Sequence, residues 1–76
     1  MRITEEGLEK VKIEFQNVEI LTRRLNIRLK LCQQALDECE SAEQGAELVL
    51  DAEDDILETV NLLKDVRHRL SKAVWD

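Results

Sequence analysis

The chain is read as an all-α protein: an antiparallel two-helix coiled-coil hairpin that self-associates into a helical bundle. Three observations point there. The 76 residues contain no proline and only two glycines, while 37% are charged and 3% aromatic. Long helices use such a composition, whereas sheets draw on more aromatic and turn residues. Two apolar runs advance in alternating steps of three and four, and one polar break separates them.

Residues 1–76 allow a single small domain, the hairpin itself. At that length one core is marginal, and a staple or a partner is usually needed. Helix 1 is expected over about Thr4 to Cys39. Thr4 is a good N-cap, and Glu5 and Glu6 suit the positive end of the helix dipole. With Leu8 taken as heptad position a, Leu8, Val11, Phe15, Val18, Thr22, Leu25, Leu29, Cys32, Leu36 and Cys39 fill the a and d sites. Only Thr22 among them is polar, and such a run marks a helix that shares a narrow seam.

The register breaks at "ECESAEQG", Glu38 to Gly45. Ser41 and Gln44 have the S-x-x-Q spacing of a capping box, which starts a second helix. Gly45 competes as a helix terminator, so the turn is placed at about residues 40–45. Helix 2 is expected over about Ala42 to Val74, with Val49, Ala52, Ile56, Thr59, Leu63, Val66, Leu70 and Ala73 as its seam. So short a connection makes the helices antiparallel neighbours. The hairpin should be roughly 50 Å long at ~1.5 Å per residue.

Cys32 and Cys39 lie one heptad apart on the same helix, about 10 Å, beyond the reach of a disulfide. Their spacing suggests no zinc site. They read as small buried hydrophobes in a reducing compartment. Without a signal peptide or an apolar run near ~18 residues, the expected location is cytoplasmic.

A second apolar stripe faces away from the seam. Ile13, Ile20 and Ile27 recur at position f, and Leu50, Leu57 and Leu62 also lie outside the helix 2 seam. Either they flank a broad core, or they form an interface for a partner helix or a second copy. The interface is the sharper expectation.

Charge is unevenly divided. From Leu31 to Leu63 there are ten acids and no base, whereas the remainder holds eleven bases and seven acids. Arg23, Arg24, Arg28 and Lys30 form a basic cluster on helix 1. The acidic half disfavours nucleic acid, and the basic half interleaves carboxylates and lacks stacking aromatics. Direct nucleic-acid binding is therefore not expected, nor is a membrane partner.

Catalytic and metal constellations are weak. Glu47, Asp51, Asp54 and Glu58 share a helical face that suits at most a loosely held divalent cation, and the segment lacks an EF-hand pattern. Asp65 and His68 are spaced as D-x-x-H, but His68 falls at an exposed site with no inward carboxylates opposite it. No nucleophile–base pair and no glycine-rich loop occurs. The chain is read as not an enzyme, with no cofactor.

The opening "TEEGLEKVKIEFQNV", Thr4 to Val18, resembles the start of the coiled-coil domain of Gre-type bacterial transcript-cleavage factors. Thr4, Glu6, Gly7, Lys10, Val11, Glu14 and Phe15 match the family pattern there, and Arg23 and Arg24 match its following basic pair. "ESAEQGAEL" is similar to a degraded form of the family's acidic tip, with Glu40 where the family has Asp, Cys39 for a Gly and Leu48 for an aromatic. The resemblance implies a prong that enters the secondary channel of RNA polymerase. It also implies that Glu40 and Glu43 help position magnesium, within the polymerase complex only.

Two functional expectations follow. One is a protein–protein interaction module acting as a Gre-like acidic prong on RNA polymerase. The other is a homo-oligomeric scaffold or adaptor that docks a helical partner on the Ile13/Ile20/Ile27 ridge. The partner-binding candidates are Ile13, Ile20, Ile27, Arg23, Arg24, Glu40 and Glu43. An enzyme subunit with a carboxylate metal site is a distant third.

Overall fold

A computed structural model describes residues 3–75. Two α-helices of equal length, α1 (Glu5–Glu38) and α2 (Ala42–Trp75), pack antiparallel along their whole length. The rod measures 56 × 15 × 11 Å. Its radius of gyration, 17.3 Å, is well above the roughly 11 Å of a compact chain of this length.

Local chemistry sets the ends. The Gly7 N–H donates to the Thr4 hydroxyl at 3.0 Å, which satisfies one of the orphan donors at the start of α1. At the tip the Gln44 N–H donates to Ser41 Oγ at 3.2 Å, and Gln44 Oε1 accepts from the Glu40 N–H at 3.0 Å. This is the expected reciprocal cap, with its second arm on Glu40 rather than Ser41. The connection is shorter than expected, Cys39–Ser41. Gly45 does not end a helix: it sits inside the first turn of α2, where a Cβ would lie 3.7 Å from Cys39 Sγ and Leu36 Cδ2. Those are ordinary van der Waals distances, so the site has room for a Cβ.

The seam is displaced from the expected one. On α1 the facing residues are Gly7, Val11, Glu14, Val18, Leu21, Leu25, Cys32, Ala35 and Cys39. Position d holds throughout, but its partner is g, one residue before a. Leu8, Phe15 and Thr22, expected inside, are exposed; Leu29 and Leu36 are half-buried. In α2 the same displacement affects the tip half, where Leu48 and Asp55 face inward while Val49 and Ile56 are exposed. Toward the open end Leu63, Val66, Leu70 and Ala73 keep their expected places.

Position g is small at the two ends of α1, Gly7 and Ala35, with Glu14, Leu21 and Arg28 between them. A Cβ on Gly7 would stand 2.8 Å from the Ala73 carbonyl oxygen, so only glycine fits at that contact. A bulky Phe15 in that position would hold the helices apart.

Little is fully buried. Among the described residues Val66, 2% exposed, is the only hydrophobic residue in that state. Cys32 and Cys39 are half-buried rather than buried and carry free thiols. Cys32 Sγ lies 3.4 Å from the Leu48 carbonyl oxygen, to which it donates. No helix of the described residues is long and apolar enough to cross a membrane.

Candidate functional site

The molecule presents surfaces rather than a pocket with chemistry in it. One residue of helical rotation is about 100°, and antiparallel neighbours place equivalent heptad positions on the same side. The two broad sides of the rod therefore differ in kind.

On one side lie Ile13, Ile20 and Ile27, all about half exposed. Leu62 from α2 joins them across a shallow groove that also holds Asn17, Arg24, Asp65 and Arg69. Near the open end Ile13 borders a larger groove of about 620 Å³ with Gly7, Glu14, Arg69 and Lys72.

Polar bridges span the seam beneath this ridge. Glu14 is only 7% exposed. It accepts from Arg69 Nε at 2.9 and 2.8 Å and from Asn17 Nδ2 at 3.2 Å. Burying a carboxylate is costly unless hydrogen bonds and a counter-charge replace water, and both are present. Fourteen residues further along α1, Arg28 Nη1 donates to Asp55 Oδ1 at 2.9 Å and lies 3.9 Å from Glu58. The sequence reading missed Glu14 and Arg69 as a pair. The usable signal was that both occupy position g, where antiparallel helices meet.

The opposite side is apolar along its length apart from Thr22, which is exposed at its middle. Leu8, Phe15, Val49, Ile56 and Val60 are exposed there, and Leu29, Leu36, Leu63, Leu70 and Val74 are half-buried beside them. Phe15, at 61%, is among the most exposed side chains of its class. Charged residues occupy only the rims of this side, at position e.

At the tip Glu40 and Glu43 are both exposed, one in the connection and one in the first turn of α2. Asp37 and Glu38 crowd the C-terminal end of α1, where the helix dipole disfavours negative charge. The basic pair is split in its bonding: Arg23 pairs with Glu19 at 2.7 Å on the surface, while Arg24 lies in the isoleucine-side groove. The structure thus does not bring the basic pair and the tip acids together.

Among the described residues no three His, Cys, Asp or Glu side chains converge as a metal site, so Glu47, Asp51, Asp54 and Glu58 form none. Glu40 and Glu43 likewise gain no third acid, and two solvated carboxylates are an incomplete ligand set for magnesium. Asp65 and His68 are exposed, with no metal-ligating cluster around them.

Comparison with protein-family models, curated proteins and solved structures finds no match to this chain.

Proposed function

We propose that the chain is a protein–protein interaction module: a helical hairpin that docks helical partners on its exposed apolar surfaces. The observation that carries this reading is the near absence of a private core. A hairpin in which, among the described residues, Val66 is the only fully buried hydrophobic side chain, while thirteen other large ones from Leu8 to Trp75 and Ile3 besides stay exposed, gains most of its burial only with a partner. The Ile13/Ile20/Ile27 ridge, edged by Arg24 and Leu62, offers the i, i+7 anchors that a helix-in-groove contact uses.

A second reading has its own support. The 15 × 11 Å cross-section of the rod and the exposure of Glu40 and Glu43 at its tip suit the Gre-like prong implied by the resemblance at Thr4–Val18. In that reading RNA polymerase is the partner and supplies the remaining ligands of any magnesium ion.

One experiment separates the two. Polymerase pull-down and transcript cleavage are measured with the unaltered chain, with Glu40→Ala plus Glu43→Ala, and with Ile20→Asp. Loss of cleavage and binding only in the double variant favours the prong. No polymerase binding by the unaltered chain, with capture of a helical partner that Ile20→Asp abolishes, favours the docking module.

A further inference from the structure

The side opposite the isoleucine ridge is the more continuous apolar surface. We propose that it is a self-association surface, on which a second copy of this chain packs tip against open end to make an antiparallel four-helix bundle. The proposal rests on the reading of the chain as an interaction module and assigns one occupant to one side.

Extent and shape favour a second copy. The broad side measures 56 by 15 Å, of the order of the ~800 Å² per partner buried in a standard stable interface. Its exposed residues are self-complementary. In the open half Leu8 and Phe15 stand out from α1 while Leu63 and Leu70 of α2 are recessed; in the tip half Val49 and Ile56 stand out and Leu29 and Leu36 are recessed.

The position-a residues also have a common centre. On α1 the ladder 8, 15, 22, 29, 36 is centred on Thr22. On α2 the ladder 49, 56, 63, 70 is centred between Thr59 and Val60. The pairs Glu14–Arg69 and Gly7–Ala73 place Thr22 opposite residues 58–61, so both centres lie at one level of the rod. A single two-fold axis across the rod at that level superposes both ladders on their reverses, as an isologous dimer requires. It sets Phe15 against Leu29 of the second copy, Ile56 against Leu63, and Thr22 against itself. Thr22 is suited to that place: its hydroxyl lies 2.9 Å from the Val18 carbonyl oxygen and 3.1 Å from that of Glu19. It can be buried without losing a hydrogen bond.

Charge selects the orientation. Residues 31–63 carry ten acids and no base. Stacking tip on tip would align those like charges, whereas reversal about the level of Thr22 sets each tip half, with ten acids and four bases in residues 23–58, over an open half with seven of each. At the rim the reversal brings Glu53 of each copy to Arg67 of the other. Neither is ion-paired within the hairpin, among the described residues.

The test is sedimentation velocity of the full chain at about 10 µM, where a micromolar or tighter interface is populated, joined to a crosslinking arm. The unaltered chain is expected to sediment as a dimer, Phe15→Asp and Ile56→Asp as monomers, and Ile20→Asp as a dimer. Should the aspartate variants unfold, a charge swap decides. Glu53→Arg and Arg67→Glu singly weaken the dimer about tenfold, and the double variant restores it. Mild oxidation of Thr22→Cys should give a covalent dimer that the unaltered chain does not. A monomer at this concentration overturns the proposal, as does a dimer abolished by Ile20→Asp but indifferent to Phe15→Asp and Ile56→Asp. A dimer without the crosslink at Thr22→Cys overturns its orientation. A dimer that engages no other protein leaves this proposal standing while the docking role of the isoleucine ridge fails.

Discussion

The two broad sides of this rod hold similar apolar material in different ways. On the isoleucine side, position g carries Glu14, Arg28, Asp55 and Arg69, whose bonds reach across the seam. The isoleucines stand behind those bridges. On the phenylalanine side, position a carries Leu8, Phe15, Leu29 and Leu36 on one helix and Val49, Ile56, Leu63 and Leu70 on the other. No described ion pair crosses there. A side closed by polar bridges can meet water at modest cost, whereas an apolar side with no bridge gains most from being covered.

That contrast is testable by substitution. The largest expected effect is on the phenylalanine side. Phe15→Asp should lower stability by about 3 kcal/mol if the side is covered, and should abolish the rise of Tm with protein concentration that an associating chain shows. Thermal melts across a hundredfold concentration range check both. A concentration-independent Tm in the unaltered chain would erase the difference between the sides.

Next comes the bridge at Glu14. Arg69→Met removes the counter-charge from a carboxylate that is 7% exposed, for about 1–3 kcal/mol. The figure is held below that of a deep pair because Arg69 itself is half exposed and solvent screens it. Urea unfolding followed by circular dichroism reads it, and the double variant Glu14→Leu, Arg69→Met should recover most of the loss.

Gly7→Ala tests the close approach that displaced the seam. In a free helix this change stabilises by about 0.8–1 kcal/mol. Here the added methyl meets the Ala73 carbonyl oxygen at 2.8 Å, so Tm should fall instead. A rise would mean that the open end is not packed this closely.

The smallest effect is expected at Arg28. Arg28 is exposed and its partner Asp55 only half-buried, so water screens the pair and Arg28→Ala should cost ~0.5 kcal/mol or less, diminishing further at high salt. The bridge at Glu14 should exceed it severalfold in the same urea series.

Much of this architecture was legible in the residues alone. Heptad spacing with no proline makes two long helices, Thr4 and Ser41 with Gln44 mark where they begin, and so short a break turns the chain back on itself. These are local properties, decided by neighbours within a turn or two of helix. Position d was legible for the same reason, since any seam of such helices must include Val11, Val18, Leu25 and Val66. Which flank accompanies d was not. The apolar stripe is wider than one seam, so periodicity alone permits either a or g beside it. The choice depends on how closely the two backbones approach. Gly7 at g allows that approach at the open end, the Glu14–Arg69 and Arg28–Asp55 bonds hold it, and Phe15 is left outside. Those are relations between residues as far as 66 positions apart, from Gly7 to Ala73, and only the packed hairpin brings them together.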